Sequence, residues 1–279
     1  MITGGNLTAH AVAMGAAIGM SQDTVCMSGL GVYHVASMAL ELTALHHGGR
    51  VVVATAADPA APLHELVRQR VTHTLMVPSI LQAFLEVPGV TGLDYSHLKA
   101  LAYGATPIQP ALLRRCLDAF PVPFFQGYGL TETCSAFCVL PDREHRDAGH
   151  PRRLESAGRP LPGAEIEIAD PASGARLRAG HIGEVLLRSR QVMLGYWDGT
   201  GPDTSAITPD GWLRTGDAGH LDEDGYLYIS GRLKDMYLHD GWNVYAAVVE
   251  RVLASGCWRA IRMSPRRWSS ASRTPRGAR

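Results

Sequence analysis

Short apolar segments alternate with helical patterns through the first half of the chain, and this alternation restricts the fold more than any other feature. The segments that read as strands cover 24–27, 51–54, 74–77, 98–103 and 122–126, and those that read as helices cover 62–70, 80–86 and 110–120. Short apolar strands separated by helices predict a parallel sheet with helices on its faces. Ligands of such sheets bind at the carboxyl ends of the strands.

The pattern changes after Gly158, where helical spacing gives way to alternating apolar and polar residues. Residues 164–169 and 183–188 read as strands, and Asp222–Gly225 reads as a turn between two further short strands. This texture is typical of antiparallel, barrel-like structure. We therefore expect an α/β part over residues 1–157 and an antiparallel part over residues 158–230.

One segment, 126–133, combines two glycines, an aromatic ring, a hydroxyl and a carboxylate directly after an apolar strand (Gln-Gly-Tyr-Gly-Leu-Thr-Glu-Thr). Glycines let backbone amides approach a phosphate closely, and a hydroxyl with a carboxylate can hold a phosphate and its Mg²⁺. Two further motifs follow in order, Gly-Trp-Leu-Arg-Thr-Gly-Asp at 211–217 and Gly-Arg-Leu-Lys-Asp at 231–235. The three together predict a nucleotide site.

In this order the three motifs resemble the motif series of the adenylate-forming enzymes, which include acyl-CoA synthetases, luciferases and peptide-synthetase adenylation domains. Residues 183–187 and 193–197, which lie between the motifs, also resemble this superfamily. The resemblance runs from near residue 1 to about residue 250. It implies that a carboxylic acid reacts with ATP to give an acyl-adenylate and pyrophosphate, and that the acyl group then passes to the thiol of CoA with release of AMP.

The resemblance also implies a role for each matching residue. The nucleotide-binding positions would be Gly104, Ala105, Thr106, Gly127, Tyr128, Gly129, Asp217 and Arg232. Tyr128 would stack on adenine, and Asp217 would accept hydrogen bonds from both ribose hydroxyls, a task for an acceptor-only group. Thr131 would contact the α-phosphate, Glu132 would be linked to Mg²⁺, and Arg232 would lie beside the ribose and the phosphate.

Two positions near the end of the matching region would serve the CoA half-reaction. Lys234 falls on the hinge about which the small C-terminal domain of these enzymes rotates, and Gly241 matches a glycine near the thiol tunnel. Residues 231–255 would then be the hinge and the start of that domain. The phosphate-gripping loop of the family would precede residue 1 and its catalytic lysine would follow residue 255, so we expect a chain truncated at both ends.

The acid pocket is predicted from a segment with an aromatic residue and a histidine. Tyr33 and His34 follow a probable strand and resemble the segment of acyl- and aryl-CoA synthetases in which the histidine borders the carboxylate pocket. Peptide-synthetase adenylation domains usually carry an aspartate there, and no acidic residue lies between Gly29 and Leu40. The pattern favours an uncharged acyl or fatty acid over an amino acid. A buried histidine satisfied by backbone groups is the alternative reading of His34.

Each motif taken singly has a plainer reading. The glycines of 127–129 could form only a tight turn, Glu132 could be a carboxylate favoured at a helix start, and Arg232 could be a surface cation. Two other functions stay open: a catalytically inactive remnant that binds nucleotide or serves as an interaction module, and a peptide-synthetase adenylation domain. The ordered co-occurrence of the motifs favours an acyl-CoA synthetase-like fragment over both.

The charge distribution argues against a nucleic-acid partner. The chain has 26 basic and 26 acidic residues, but seven of the arginines lie between Cys257 and Arg279, where there is no acidic residue. The rest of the chain is therefore mildly acidic and offers no general nucleic-acid-binding surface. Since the Arg-, Ser- and Pro-rich stretch lacks an apolar periodicity, we expect residues 256–279 to be a disordered tail.

No segment predicts a membrane span or a metal site built from histidine and cysteine. The apolar stretch 11–20 is too short to cross a bilayer, and the first basic residue is Arg50, so the charged start of a signal peptide is lacking. The five cysteines are scattered, and Cys134 and Cys138 have no second pair at zinc-site spacing. We expect reduced thiols and a cytoplasmic protein.

Overall fold

A computed structural model describes residues 1–53, 60–239, 242–245 and 249 of the 279-residue chain. The helices in this part of the chain are α1 Gly4–Ile18, α2 Val35–His46, α3 Ala60–Arg68, α4 Pro78–Leu85, α5 Pro110–Ala119 and α6 Asp142–His145. The strands are β1 Val25–Ser28, β2 Arg50–Val52, β3 His73–Met76, β4 Ala100–Gly104, β5 Phe124–Leu130, β6 Ser135–Leu140, β7 Arg159–Pro160, β8 Glu165–Ala169, β9 Gly183–Arg188, β10 Tyr196–Trp197, β11 Pro202–Asp203, β12 Leu213–Leu221, β13 Leu227–Arg232, β14 Met236–His239 and β15 Trp242–Tyr245.

The first seven strands form one sheet in the order β2-β1-β3-β4-β5-β6-β7. The strands from β2 to β5 pair in parallel, and β6 and β7 are added antiparallel at one edge. The expected α/β class with a parallel sheet is thus confirmed. Short apolar strands joined through helices give this arrangement because a parallel connection must cross a face of the sheet.

Helices cover both faces of this sheet because successive strand residues point to opposite sides. Met27 and Leu101 pack on the face covered by α3, α4 and α5, whereas their neighbours Cys26 and Ala100 pack on the face covered by α1 and α2. The apolar stretch 11–20 lies largely on α1, where its side chains contribute to this second core. Within the described residues, no helix is long and apolar enough to cross a membrane.

The second sheet is antiparallel, with the order β13-β12-β9-β8, so the expected change of texture is confirmed. Its strands occupy residues 165–232, whereas the first sheet ends with β7 at Pro160. In the described part of the chain the four strands form an open sheet, not a closed barrel. The boundaries at 157/158 and 230/231 stay predictions, and residues 256–279 lie outside the described residues.

A buried carboxylate fixes the second sheet to the first. Glu144 on α6 is almost inaccessible, and its two oxygens accept hydrogen bonds from the Tyr226 hydroxyl at 2.7 Å and from Arg153 Nη1 at 3.0 Å. Arg153 also donates to Asp224 at 2.9 Å, in the turn between β12 and β13. Because the carboxylate is buried and fully paired, this junction holds the start of β13 in a defined position.

The strand β5 differs from its prediction. It begins two residues later than expected and runs four residues further, to Leu130, so that Gly127, Tyr128 and Gly129 lie inside the strand and not in a loop. The antiparallel partner β6 continues the hydrogen-bond ladder beyond the point where the parallel neighbour β4 ends. The apolar pattern predicted only the first part of β5, which includes the buried Phe124.

A buried histidine on α1 makes the stability of the fold sensitive to acid. His10 is 2% exposed, contacts Gln191 Nε2 through Nδ1 at 3.4 Å, and burial lowers its pKa to about 4. The unfolded chain binds a proton on this ring near pH 6.5 and the folded chain does not. The contribution of His10 to the free energy of unfolding is therefore complete above that pH and is lost as the pH falls toward 4.

We therefore predict that the free energy of unfolding of the wild type falls by on the order of 3 kcal/mol between pH 7 and pH 4 through His10 alone. His10→Gln should flatten this acid limb, because the amide does not titrate. Urea unfolding at a series of pH values measures it, with the exposed His181→Gln as the control. An acid limb equally steep in His10→Gln and wild type would contradict the prediction.

Candidate functional site

The carboxyl ends of β1, β4 and β5 and the strands β12 and β13 bring the motif residues to one region. Residues 29–34 follow β1, Ala105 and Thr106 follow β4, and Thr131 and Glu132 follow β5 in a single turn of 3₁₀-helix over 131–133. Asp217 on β12 pairs directly opposite Arg232 on β13. The predicted nucleotide residues therefore come from two sheets.

The two sheets meet through a buried carboxylate. The hydroxyl of Tyr128 on β5 donates a hydrogen bond of 2.6 Å to Asp217 Oδ2, and Arg232 Nε lies 2.8 Å from Asp217 Oδ1. The side chain of Asp217 is 7% exposed, whereas that of Arg232 is 47% exposed. Burial raises the pKa of Asp217, against the opposing effects of the Tyr128 bond and the Arg232 charge. Burial and the nearby Asp217 charge raise the pKa of Tyr128 well above its ordinary value.

A second carboxylate lies close to this group. Glu132 is half-buried and accepts a 2.6 Å hydrogen bond on Oε1 from the hydroxyl of Tyr196, on β10. This bond and burial raise the pKa of Tyr196 to about 12. The charge of Glu132 also acts on Asp217, and the charge of Arg232 acts on Tyr196, so the four side chains share one electrostatic environment.

A cavity of about 330 Å³ opens beside the turn that carries Thr131. It is lined by Ile2, Tyr33, His34, Val35, Met38 and Thr131. Two residues predicted to border the acid and one predicted to contact the α-phosphate thus face the same space. Tyr33 is 89% exposed and stands at the rim, and His34 precedes the first residue of α2.

Two of the motif glycines are required by strand packing. A methyl group at Gly104 would lie 2.3 Å from the carbonyl oxygen of Gly127, and one at Gly129 would lie 1.7 Å from that of Ser135. The backbone of β5 pairs with β6 here, so Gly127 and Gly129 are not parts of a free phosphate-cradling loop. Their predicted roles in nucleotide binding stay predictions.

The loop after β4 contains a backbone feature that the sequence did not indicate. Ala105 has a φ of +65°, in the left-handed region that disfavours residues with a Cβ, and Thr106 beside it is exposed. Cys134, which ends the 131–133 turn, has a φ of +58°. Strained residues of this kind concentrate where a fold holds a site in a defined shape.

Of the two positions predicted to serve the CoA half-reaction, the structure describes one, Lys234. Lys234 is exposed and lies in a 3₁₀ turn over Leu233–Asp235, directly between β13 and the hairpin of β14 and β15. Its role as a hinge stays a prediction. Gly241 lies outside the described residues.

The residues missed by the sequence reasoning are Tyr196, Gln191 and the apolar lining of the cavity. Tyr196 belongs to a stretch, 193–197, that matched the family pattern without suggesting a role. Gln191 is 1% exposed and donates from Nε2 to the carbonyls of Thr133 and Ala136. An isolated glutamine gives no signal in sequence that it is buried.

The cluster fits a magnesium ion that arrives with its nucleotide. Within the described residues, no group of three or more His, Cys, Asp or Glu side chains could hold a metal by itself. Mg²⁺ is usually bound by one or two carboxylates together with substrate phosphates and water, not by an all-protein cage. Glu132 would supply one such carboxylate, since Tyr196 occupies its Oε1 and, in the described part of the chain, no hydrogen bond reaches its Oε2.

Comparison with known proteins shows similarity to AMP-binding enzymes over most of the chain. The sequence profile of the AMP-binding enzymes matches residues 1–197. A fatty acid–[acyl-carrier-protein] ligase from Streptomyces coeruleorubidus is 39% identical over 208 residues, which are 74% of this chain and 39% of the relative. A feruloyl-CoA synthase from Amycolatopsis is 35% identical over 254 residues, which are 91% of this chain and 50% of the relative.

A solved structure shows the same fold at a similar level of identity. The O-succinylbenzoate coenzyme A synthetase of Bacillus subtilis, in complex with ATP and a magnesium ion, is 29% identical and superimposes with a TM-score of 0.80. The match covers 91% of this chain and 51% of that structure. The chain thus spans about half, or less, of the length of the proteins that it matches.

The Tyr128–Asp217 contact should be worth more than a neutral hydrogen bond. We predict that Tyr128→Phe lowers the free energy of unfolding by about 1.5–3 kcal/mol near neutral pH, because it removes a donor from a buried, ionised acceptor. The loss should shrink as the pH falls through the raised pKa of Asp217, since the protonated carboxyl no longer accepts as a charged group. Denaturant unfolding at several pH values measures both effects.

Tyr103→Phe is the matched control, because the buried Tyr103 hydroxyl contacts only neutral groups among the described residues, His145 Nε2 at 2.9 Å and Gln126 Oε1 at 3.3 Å. It should cost about 0.5–1.5 kcal/mol. Equal losses for the two variants at neutral pH would contradict a charge-assisted bond at Asp217.

Proposed function

This chain belongs to the AMP-binding enzyme family, and from that premise we propose that it carries the nucleotide- and acid-binding part of an acid–thiol ligase of the acyl-CoA synthetase type. The three relatives described above bear the names of a fatty acid–[acyl-carrier-protein] ligase, a feruloyl-CoA synthase and an O-succinylbenzoate coenzyme A synthetase. Because the chain spans about half of their length, the reaction, the substrates and the cofactors are proposals for this chain.

The observation that supports the proposal most strongly is the shared cavity. Thr131, the predicted α-phosphate contact, lines the same space as Tyr33 and His34, the predicted acid contacts. These residues are about a hundred positions apart in sequence, and adenylation requires the acid carboxylate to reach the α-phosphorus. This shared cavity supports a site in which an acid carboxylate meets a nucleotide phosphate.

Asp217 is the proposed ribose-binding residue. One lone pair on each of its oxygens is engaged, by Tyr128 and by Arg232, and a carboxylate has about four acceptor positions. It can therefore accept two ribose hydroxyls without losing its present partners. Tyr128 holds it in orientation, and the half-exposed guanidinium of Arg232 is the proposed contact of the phosphate. The adenine would lie against Tyr128 and the loop of Gly104, Ala105 and Thr106.

The proposed reaction needs no serine or cysteine nucleophile. An oxygen of the acid carboxylate attacks the α-phosphorus of ATP, and the bond to pyrophosphate breaks. Mg²⁺, when bound, would neutralise charge on the departing pyrophosphate, and Glu132 is the residue that we propose would hold it. The thiol of CoA then attacks the acyl carbon and AMP leaves. Rotation about Lys234 and contact of CoA near Gly241 belong to that second step.

The acid is proposed to be an acyl or fatty acid without a charged amino group. Three of the six lining residues, Ile2, Val35 and Met38, are apolar, and none of the six is a carboxylate that could pair with an ammonium group. This favours an acyl-CoA synthetase-like site over a peptide-synthetase adenylation site. We further propose a cytoplasmic protein that acts on small molecules and does not bind nucleic acid.

A second candidate, nucleotide binding without catalysis, is favoured by the distribution of cations. The chain contains two lysines, Lys99 and Lys234. Lys99 lies at the amino end of β4, whereas the site lies at the carboxyl ends of the strands. Lys234 lies in the exposed turn after β13. In the part of the chain that the structure describes, Arg232 is the cation paired into the cluster. Charge stabilisation in the transition state is usually the largest catalytic contribution.

Nucleotide binding is tested by a matched pair of arginines. Arg232 and Arg214 are 47% and 49% exposed, and each pairs with a carboxylate that is almost buried, Asp217 or Glu184. We predict that Arg232→Gln weakens AMP binding about tenfold or more, and that Asp217→Ala weakens it by about 1.5–3 kcal/mol. Arg214→Gln should leave AMP affinity within about twofold. It also removes an ion pair, but we expect the weakening in Arg232→Gln to come from the lost contact with the phosphate and not from the lost ion pair.

Isothermal titration calorimetry with AMP on the 1–279 chain decides between the outcomes. Equal effects of Arg232→Gln and Arg214→Gln on AMP affinity would contradict a phosphate-binding role for Arg232. Unchanged AMP affinity in Asp217→Ala would contradict a ribose-binding role for Asp217.

Catalysis is tested separately from binding. We predict that the 1–279 chain gives no acid-dependent exchange of labelled pyrophosphate into ATP with fatty or aryl acids, because no lysine accompanies Arg232 at the phosphate position. AMP binding without exchange would support the second candidate for this chain. Clear exchange would show that the 1–279 chain suffices for adenylation and would overturn the second candidate.

A further inference from the structure

The segment 190–196 contacts the 131–133 turn at three points. Met193 N donates to the carbonyl of Glu132 at 2.7 Å, Gln191 Nε2 donates to the carbonyl of Thr133 at 2.9 Å, and the Tyr196 hydroxyl donates to Glu132 Oε1 at 2.6 Å. Backbone and side chain of Glu132 are therefore both held by residues about sixty positions later in the chain. The family resemblance covered residues 193–197 of this region without giving them a role.

We propose that Tyr196 is a positioning residue for the metal-binding carboxylate of Glu132, an inference that rests on the proposed function. Its hydroxyl occupies Oε1 at the short distance typical of an O–H donor to a carboxylate. In the part of the chain that the structure describes, Oε2 accepts no hydrogen bond and is left for a cation. The carboxylate is thus fixed in one orientation with one oxygen available.

A tyrosine suits this task better than a cationic partner. An arginine or lysine on Glu132 would neutralise the carboxylate and repel a divalent cation a few ångströms away. The neutral hydroxyl orients the group and leaves its negative charge in place, as do the outer partners of metal ligands in general. The nearby cation, Arg232, is instead paired with Asp217.

The support behind Tyr196 is itself anchored. Asn6 Nδ2, in the first turn of α1, donates to the carbonyls of Arg190 and Val192 at 2.8 Å each. Gln191 is buried beside His10, and the carbonyl of Gln191 accepts a hydrogen bond from Cys134 Sγ. Residues held by packing and hydrogen bonds in this way can set the position of a ligand closely. Tyr196, which is 45% exposed, therefore reaches Glu132 from a segment whose backbone is held by these contacts.

The test separates the metal from the nucleotide. AMP affinity and ATP affinity are measured by calorimetry on the full 1–279 chain, ATP once with excess EDTA and once with saturating MgCl₂. The ratio of the two ATP dissociation constants is the magnesium gain. Tyr196→Phe should lower the magnesium gain roughly tenfold, the usual effect of removing a partner of a metal ligand, and leave AMP affinity within about twofold.

Tyr228→Phe is the matched control, because it also removes a hydroxyl that donates to a carboxylate, Asp222 at 3.2 Å, away from the site. It should change neither quantity. Glu132→Gln should remove most of the magnesium gain, and Tyr196→Phe added to it should have no further effect, because Tyr196 acts through Glu132.

The outcomes distinguish this inference from the function on which it rests. Normal AMP binding with an unchanged magnesium gain in Tyr196→Phe would overturn the role of Tyr196 and leave the proposed function standing. An equal effect of Tyr196→Phe in the wild-type and Glu132→Gln backgrounds would also overturn it. A wild type that binds neither AMP nor ATP would overturn the proposed function, and this inference with it.

Discussion

The hydroxyl of Tyr128 lies 2.6 Å from Asp217, and this contact joins the parallel sheet to the antiparallel one at the place where the motif residues converge. Tyr128 comes from β5, and Asp217 and its partner Arg232 come from β12 and β13. Because the carboxylate is almost buried, its hydrogen bond and ion pair are stronger than they would be in water, and leaving either oxygen unpaired would be costly. The position of Asp217 relative to the turn with Thr131 and Glu132 depends on this junction. The Glu144 network secures the same two sheets at a second place.

The order of strands and helices could be predicted from the sequence because burial leaves a periodic apolar pattern. The strand β9 was predicted with both of its ends, 183 and 188, and the helix α5 with its first residue, Pro110. The full length of β5 could not be predicted, since Gly127–Leu130 are half-buried and owe their strand geometry to pairing with β6. Nor do propensities indicate that Gly104 and Gly129 are required by close backbone approach.

For the candidate site, the motifs identified the residues that meet but not the contacts between them. Tyr128 was expected to present its ring to adenine, whereas its hydroxyl also orients the carboxylate proposed to bind the ribose. Tyr196 is 64 positions from Glu132, and no spacing rule in a single sequence relates two residues so far apart. The segments predicted to bind the acid and the phosphate share a cavity because β1 and β5 have their carboxyl ends on the same side of one sheet. Such contacts depend on topology, which the local pattern does not specify.

The most direct test of a joint acid and nucleotide site is a crystal structure of the 1–279 chain with a non-hydrolysable acyl-sulfamoyl adenosine. We expect both ribose hydroxyls within hydrogen-bond distance of Asp217 while Tyr128 and Arg232 keep their contacts with it. The acyl group should enter the cavity beside Tyr33 and His34, with the sulfamoyl group at Thr131. An adenosine bound elsewhere, or an acyl group pointing away from that cavity, would contradict the account.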